Sequence, residues 1–373
     1  MKFEVSSSEL LKSLQIASGV IAPSPVLPVT EDFLFQLKGN TLTIRATNVE
    51  NTVITKTEVN GMEKGEIAIS AKMLLETLKA LPDQPITIGH AEAGNSNAIE
   101  IVSSYGKYHL VGDNPDDFPI ISEDDAMETF SFECQKLSTA LAKSSFAVSN
   151  DEMRLAMTGV YMLIDYNKVV FVATDAHKLV KYTFGNVNTE ISDSIILSKK
   201  LISLLKAALP GHGTVDISFN RKNAVFQFGD TKIITKLIEA KYPDYNAVIP
   251  VENPNELTAN KKDLQNSLKR IGIYANKSTN QVVLNMSENA LTLSAQDIDF
   301  SNEATEQLAC RYTGEPMSMG FNSRIFVELL NNIDTEETIM QMSTPSRAAI
   351  ILPAEQESDE HIMMLIMPVL SGY

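Results

Sequence analysis

The segment ILSKKLISLLKAALP, residues Ile196–Pro210, is the most informative part of this chain. Its apolar residues recur at helical spacing, while Lys199, Ser203 and Lys206 share the opposite side. Ser198 stands where an N-cap is expected, and Pro210 and the glycines that follow it end the pattern. The segment predicts one amphipathic helix with an apolar face and a basic face.

The chain contains this helix three times. Ile69–Pro82 reads ISAKMLLETLKALP, and Phe321–Asp334 reads FNSRIFVELLNNID. Alignment places a polar cap residue at the start of each copy and a basic residue two positions later; these residues are Ser70, Ser198 and Asn322, then Lys72, Lys200 and Arg324. The copies are offset by 128 and 124 residues.

Two further elements recur in the same order. A second helix carries leucine pairs that are spaced by 127 residues; they are Leu10 and Leu14, Leu137 and Leu141, and Leu264 and Leu268. A strand that ends in a small-residue turn reads LTIRATN at Leu42–Asn48, VVFVATD at Val169–Asp175 and LTLSAQD at Leu291–Asp297. The sequence therefore predicts three tandem repeats of about 120 residues each, within the usual size of a domain. We place them at 1–121, 127–250 and 254–373.

The residues between the helices alternate with a period of two, as strands do. Two helices and many strands in each repeat predict an α+β fold, with both helices packed on one face of a sheet. The last repeat ends in an apolar segment, Ile362–Leu370, that is predicted to be a strand; Pro368 within it indicates a strand end or a sheet edge.

Charge is distributed unevenly along the chain. The net charge is −16, which by itself argues against an anionic partner. The six predicted helices hold 13 basic and four acidic residues, so they carry +9 and the remainder carries −25. Taken alone, a basic helix face is most often simply solvated. Its recurrence in an acidic chain leaves two interpretations open from the residues alone, a solvated face and a DNA-facing surface.

Geometry suggests how such repeats assemble. Six helices at about 9 Å spacing enclose a hole of only about 7 Å, whereas twelve leave about 24 Å, which is enough for duplex DNA of about 20 Å. A head-to-tail homodimer with a basic lumen would supply twelve helices, and it closes after two chains.

Other classes of protein are poorly supported by the sequence. It contains no P-loop, GxGxxG, HExxH or CxxC motif. The two cysteines, Cys134 and Cys310, are interpreted as buried thiols of a reducing compartment. No apolar run is long enough to span a membrane, so we expect a soluble, cytoplasmic protein. An acidic cluster at a repeat junction lacks EF-hand spacing and predicts no metal site; it comprises Asp113, Asp116, Asp117, Asp124 and Asp125.

Several motifs resemble the bacterial sliding clamp family, the beta subunit of DNA polymerase III. They are VATDAHKL at Val172–Leu179, KYPDY at Lys241–Tyr245, GFN at Gly320–Asn322 and LIMP at Leu365–Pro368. The resemblance covers the whole chain. It implies a ring-shaped dimer of six similar domains that encircles double-stranded DNA, slides, and tethers the replicative polymerase. It implies no cofactor, and no catalysis by this chain, because the polymerase activity resides in a partner subunit. It also implies an ATP-driven clamp loader that opens the ring.

The resemblance and the charge pattern together give candidate DNA contacts. They are Lys12, Lys72, Lys79, Lys143, Arg154, Lys199, Lys200, Lys206, Lys269, Arg270 and Arg324. Such contacts bind phosphates without reading bases, since sliding requires indifference to sequence. The chain departs from the family at Ser24, where an arginine is common, and at Leu155 and Ala156, where aromatic residues are common.

The resemblance also implies a pocket for short linear motifs of polymerases, the clamp loader and mismatch-repair proteins. Its residues here are Met157, Thr174, Ala176, His177, Lys178, Leu179, Pro243, Val248, Asn322, Leu365, Met367, Pro368 and Val369. Apolar side chains under a polar rim suit a peptide anchored by one or two large apolar residues. Ala176 replaces a common glycine, Ala247 a common arginine, and the tail from Val369 to Ser371 also differs.

Two rival hypotheses belong to other classes. Asp175 and His177 could be a catalytic pair at a repeat junction, but no nucleophile accompanies them at recognisable spacing. The chain could also be a scaffold without a DNA partner, whose helices are merely solvated. That hypothesis predicts that reversing the charge of Lys72, Lys200 and Arg324 leaves DNA retention unchanged.

Overall fold

The computed structural model describes residues 1–24, 27–91, 98–121 and 127–370. Within these residues the fold is α+β, as predicted, with six α-helices and 26 strands. None of the described helices is both long and apolar enough to cross a membrane. Cys134 is buried and Cys310 is only partly buried, so the prediction of two buried thiols is half correct.

The six helices lie where the repeats predict them. They are α1 Ser7–Ser18, α2 Ala71–Ala80, α3 Cys134–Ser144, α4 Lys199–Ala208, α5 Lys261–Ile271 and α6 Ser323–Leu330. The helices begin later than the quoted segments: Ile196–Ser198 belong to the preceding strand, as do Ile69–Ser70 and Phe321–Asn322. Ile195, Ile196 and Leu197 are all buried, and β-branched residues favour a strand at such a position.

Strands fill the rest of each repeat. In the first repeat they are β1 Lys2–Ser6, β2 Asp32–Lys38, β3 Thr41–Thr47, β4 Asn51–Glu58, β5 Asn60–Glu63, β6 Gly65–Ser70, β7 Pro85–His90, β8 Ala98–Ser103 and β9 Gly106–Val111. In the second they are β10 Glu128–Glu133, β11 Gly159–Asp165, β12 Lys168–Thr174, β13 Lys178–Gly185, β14 Ser192–Ser198, β15 Thr214–Phe219, β16 Asn223–Phe228 and β17 Thr231–Lys236. In the third they are β18 Asn255–Asn260, β19 Gln281–Ser287, β20 Ala290–Asp297, β21 Asn302–Ala309, β22 Arg311–Thr313, β23 Met317–Asn322, β24 Glu337–Met342, β25 Ala349–Pro353 and β26 Glu360–Ile366.

The chain divides into two compact units, and the first consists of Met1–Thr139 and Lys200–Leu237. It holds a five-stranded sheet with the order β5-β1-β7-β8-β9 and an eight-stranded sheet with the order β10-β15-β16-β17-β4-β3-β2-β6. The antiparallel pair β17–β4 joins strands of the second repeat to strands of the first. Helix α1 packs against α2 and against strands of both sheets.

The second unit consists of Ala140–Lys199 and Ile238–Tyr373. It holds a nine-stranded sheet with the order β14-β11-β12-β13-β26-β25-β24-β18-β22 and a four-stranded sheet with the order β21-β20-β19-β23. The pair β13–β26 joins the second repeat to the third. The prediction of one sheet per repeat is therefore wrong in detail, because the strands of each repeat lie in two sheets. Period-two patterns do not specify which strands pair.

The end of the chain also differs from its prediction. The last strand, β26, ends at Ile366, so Met367–Leu370 continue without strand structure. Two backbone hydrogen bonds still hold this segment: Met367 N–H donates to the carbonyl of His177 at 2.9 Å, and Val369 N–H donates to that of Gly320 at 2.8 Å. These bonds place the segment beside the turn that follows β12.

Asp32, at the start of β2, is a buried acid whose Oδ2 has no hydrogen-bond partner among the described residues. Burial, followed by the neighbouring carboxyl groups of Asp113 and Glu31, raises the pKa of Asp32 to about 7. The folded state thus binds a proton that the unfolded chain, with a pKa near 3.8, has released. The stability that protonated Asp32 contributes should be full below pH 4 and should be lost as the pH rises through about 7.

We expect Asp32→Asn to remove this dependence. The variant should match the wild type near pH 4 and exceed its free energy of unfolding at pH 8 by about 2 to 4 kcal/mol. Denaturant titrations at the two pH values provide the measurement. Parallel pH profiles for the two proteins would show that Asp32 is not the group responsible.

Candidate functional site

In the first unit, five candidate DNA contacts lie on helices. Lys12 is on α1, Lys72 and Lys79 are on α2, and Lys200 and Lys206 are on α4; all are exposed. Gly19, just after α1, lies against Leu204 of α4, so these two helices are neighbours. Among the described residues only Lys200 of this set has an ion pair, with Glu50 Oε2 at 2.9 Å. The remaining four ammonium groups are available to an anion.

In the second unit, the candidates differ in what they contact. Lys269 on α5 and Arg324 on α6 are exposed, with no side-chain ion pair to any residue that the structure describes. The Arg270 guanidinium binds both oxygens of Glu306, with N–O distances of 2.7 and 2.6 Å. Hydrogen bonding to Arg270 lowers the pKa of Glu306. Arg154 pairs with Asp151 at 3.2 Å.

Two of the lysines predicted to contact DNA use their ammonium groups in hydrogen bonds to other residues of the chain. The Lys143 side chain is 17% exposed, and its Nζ donates to the carbonyl of Asn332 at 2.9 Å and to Asp334 Oδ1 at 2.7 Å. Lys199 Nζ donates to the carbonyl of Ser149 at 2.7 Å and to Asn150 Oδ1 at 2.5 Å. The sequence could not separate these lysines from their free neighbours, because their partners are distant in the chain.

The predicted pocket lies entirely within the second unit and is organised by the turn between β12 and β13. Thr174 Oγ1 donates to the carbonyl of Lys178 at 2.7 Å and accepts from the N–H of Ala176 at 3.1 Å. Asp175 Oδ1 accepts the N–H groups of His177 and Lys178, both at 2.9 Å. Ala176 has a φ of 76°, a left-handed conformation that favours glycine.

The floor of the pocket is apolar. Leu179 of β13 lies opposite Leu365 of β26, and both are buried. They share a hydrophobic cluster with five further buried residues, namely Val170, Val172, Ile196, Tyr242 and Ala348. Among the other predicted pocket residues, Met157, Pro243, Val248, Met367 and Pro368 are exposed or half-buried.

Several residues of this cluster were not predicted. Tyr161 stacks on Tyr242 with ring centroids 4.7 Å apart, and Tyr245 tilts against Tyr161 at 6.1 Å. Tyr242 OH donates to the carbonyl of Val172 at 3.3 Å. The motif KYPDY contains both Tyr242 and Tyr245, but Tyr161 and Met363 carry no motif and join the cluster only through strand pairing.

Three predicted pocket residues have other contacts. Lys178 is buried, with its ammonium paired to Glu328 and Asp175, so it does not present its charge in the pocket. Asn322 caps α6: its Oδ1 accepts from the N–H groups of Arg324 and Ile325. The carbonyl of Val369 accepts from Gln281 Nε2 at 3.1 Å. Asn322 is thus the last residue of β23, and Val369 is held by the side chain of Gln281 on β19.

The first repeat contains a copy of this turn. Thr47 Oγ1 accepts from the N–H of Val49 at 3.1 Å, and Val49 has a φ of 75°. By strand register, however, Thr52 stands where Leu179 does, and Lys236 stands where Met367 does. These positions are polar, but a cavity of the first unit still brings Val49 of this turn together with the apolar side chains of Leu27 and Leu204.

The alternative catalytic pair is not assembled as a pair. Asp175 uses its oxygens on the turn and on Lys178, and within the described residues its carboxylate makes no hydrogen bond to the exposed His177 imidazole. No three described Asp, Glu, His or Cys side chains lie close enough together to hold a metal ion. Asp124 and Asp125 of the acidic cluster lie outside the described residues.

The described repeats carry exposed cations on their helices and an apolar cluster beside the turn that follows β12. Three family models match in order along the chain: the N-terminal domain of the DNA polymerase III beta subunit at 1–122, the central domain at 131–244 and the C-terminal domain at 246–369. The chain belongs to the DNA polymerase III beta subunit family.

Individual relatives agree with this assignment over the full length. The beta sliding clamp of Vibrio cholerae is 25% identical and aligns with 99% of this chain and 100% of its own. The crystal structure of the DNA polymerase III subunit beta of Pseudomonas aeruginosa has a TM-score of 0.92 at 25% identity, covering 99% of this chain and 100% of that one. The DnaN sliding clamp of Bartonella birtlesii, crystallised with griselimycin, has a TM-score of 0.91 at 26% identity, with both chains covered completely.

Family membership gives the general function. The chain is a sliding clamp of DNA replication, a processivity factor for DNA polymerase III and not an enzyme.

Proposed function

We propose that two copies of this chain join head to tail and close a ring around duplex DNA. The observation that carries the proposal is that equivalent strands pair at two junctions between repeats, whereas the equivalent strands at the two ends of the array lie at sheet edges. In the first unit β17 of the second repeat pairs with β4 of the first, and in the second unit β26 of the third repeat pairs with β13 of the second. By order in their sheets, β9 corresponds to β17 and β26, and β21 corresponds to β4 and β13. Yet β9 and β21 are outermost strands in their sheets.

Pairing β9 of one copy with β21 of another would repeat the same junction twice more and leave neither edge open. An unpaired edge strand is an association site unless it is covered. Charged side chains on these edges are largely paired within the chain: Lys107 of β9 lies 3.1 Å from Glu100, and Glu306 of β21 binds Arg270. Exposed apolar residues flank both edges; they are Tyr105 and Val111 near β9, and Ile273, Ile298 and Phe300 near β21. Sedimentation equilibrium tests this proposal, which requires the mass of two 41.0 kDa chains.

The helix cations would then meet DNA inside the ring. Among the eleven candidates, those with no ion pair to any residue in the described part of the chain are the strongest contacts; they are Lys12, Lys72, Lys79, Lys206, Lys269 and Arg324. Lys200, Arg154 and Arg270 are exposed but paired, and Lys143 and Lys199 support the fold. Ser24 is exposed, and as a neutral residue it adds no charge to this surface.

The pocket would hold linear motifs of the replicative polymerase, the clamp loader and mismatch-repair proteins. We place this function in the cytoplasm and assign the three domains to 1–121, 127–250 and 254–373. Support for the domains comes from the three matched family segments and from the internal repeat of helices and strands.

We expect Val248→Asp to weaken peptide binding at the pocket by about tenfold or more, because a carboxylate at its wall must be desolvated by an apolar anchor. Val248 is 52% exposed, so the change should leave the fold intact. The measurement is fluorescence anisotropy of a short labelled peptide with adjacent leucine and phenylalanine. Val251→Asp, three residues away at a side chain that is 95% exposed, is the matched control and should bind normally. Equal affinities for the wild type and Val248→Asp would refute the pocket.

A further inference from the structure

A charged link joins helix α6 to the turn of the pocket. The Lys178 side chain is 9% exposed, and its Nζ lies 2.8 Å from Glu328 Oε2 and 3.0 Å from Asp175 Oδ2. Burial lowers the pKa of Lys178, but its hydrogen bonds to Glu328 and Asp175 outweigh burial and the pKa is raised. Lys178 is therefore a fixed cation between two carboxylates.

The link continues into the pocket through the turn. While Asp175 binds Lys178 with Oδ2, its Oδ1 accepts the N–H groups of His177 and Lys178. The carbonyl of His177 in turn accepts from the N–H of Met367 at 2.9 Å. Each step is a direct contact, so the position of Met367 at the pocket depends on groups that Glu328 helps to hold.

The first unit, where the first and second repeats meet, shows that the fold does not need charges at these positions. Asn51 occupies the place of Lys178 by strand register, and Leu204 occupies the place of Glu328 by helix alignment. There Asn51 Oδ1 accepts from Thr235 Oγ1 at 2.7 Å, and Leu204 is simply buried. Desolvating charges is costly, and an apolar replacement is often no less stable, so stability alone does not account for the ionic version.

We propose that Glu328 is a positioning residue of the partner pocket, acting through Lys178 and Asp175 to hold the turn that shapes it. The proposal rests on the docking function described above. Without the Glu328 carboxylate, Lys178 has only Asp175 to pair with and draws it away from the N–H groups of the turn. The peptide must then order the turn as it binds, which weakens affinity.

A double-mutant cycle tests this proposal with the same labelled peptide. We expect Glu328→Gln to weaken binding by about tenfold, the size expected for loss of a charge-assisted hydrogen bond. Lys178→Met should show a similar loss, and the double variant should be no weaker than either single one, because the two residues act in series. Lys178→Arg keeps a positive charge beside Glu328 and Asp175 and should therefore bind the peptide more tightly than Lys178→Met.

A matched control removes another ion pair of the same unit. Asp334→Asn breaks the pair with Lys143 at 2.7 Å, which does not contact the turn, and should bind the peptide normally. Thermal unfolding confirms that each variant is folded. If Lys178→Met does not fold, the peptide affinity of Glu328→Gln relative to Lys178→Arg and Asp334→Asn still tests the role of Glu328.

The proposal fails if Glu328→Gln binds like the wild type, or if it loses the same factor in the Lys178→Met background. A wild-type chain that does not bind the peptide would refute the docking function and this proposal together. Normal wild-type binding that Val248→Asp abolishes and Glu328→Gln does not alter would refute only the role of Glu328.

Discussion

Ile273→Arg is expected to convert the dimer into a monomer. Ile273 follows α5, which packs on β20 and β21, and its side chain is 65% exposed in the single chain. At the proposed junction it would be covered by the partner. Loss of a central apolar contact costs about 2 kcal/mol or more, and a closed ring contains the junction twice. The dissociation constant of the dimer should therefore rise by about a thousandfold.

Sedimentation equilibrium over a range of protein concentrations measures this effect. The matched control is Val251→Arg, which places the same charge at a residue that is even more exposed but lies far in sequence from β9 and β21. We expect Val251→Arg to sediment as the wild type does. If Ile273→Arg also remains a dimer, the junction between β9 and β21 is wrong.

Neutralising three free cations is expected to reduce the salt dependence of DNA binding sharply. Lys72, Lys206 and Arg324 lie on three different helices, and none has an ion pair within the described part of the chain. The slope of log K against log salt falls by about 0.9 for each phosphate contact that is lost. The triple alanine variant of a dimer loses up to six contacts, so its slope should be lower by as much as about five.

Equilibrium binding to a short duplex at several salt concentrations provides this measurement. A triple variant with the same charge change, at Lys64, Lys222 and Lys277, is the control, because these exposed lysines lie outside the six helices. It should keep the wild-type slope. Equal slopes for both triple variants would favour the scaffold hypothesis, in which the basic helices are only solvated.

The repeat made most of the secondary structure predictable. Helix periodicity and recurring caps located all six helices, and the motif at Val172–Leu179 located the turn of the pocket. Strand pairing was not predictable, because alternation specifies a face and not a neighbour. The joining pairs β17–β4 and β13–β26, on which the dimer proposal rests, became visible only in the structure.

The candidate site was predictable in composition but not in the role of each residue. Lys178, Lys143 and Lys199 resemble their free neighbours in sequence, yet each places its ammonium on acceptors from distant segments. Tyr161 reaches the pocket through the register of β11 with β12, which no local pattern reveals. Charge counts thus located the basic helices, while the ion pairs of individual lysines required coordinates.

Retention on circular and linear DNA tests the central claim most directly. The clamp would be loaded onto closed circular DNA by a clamp loader, washed at high salt, and compared with the same DNA after one cut. We predict that it stays on the circle, where it is linked topologically, and leaves the cut molecule through its ends. Equal release from both forms would contradict a closed ring around DNA.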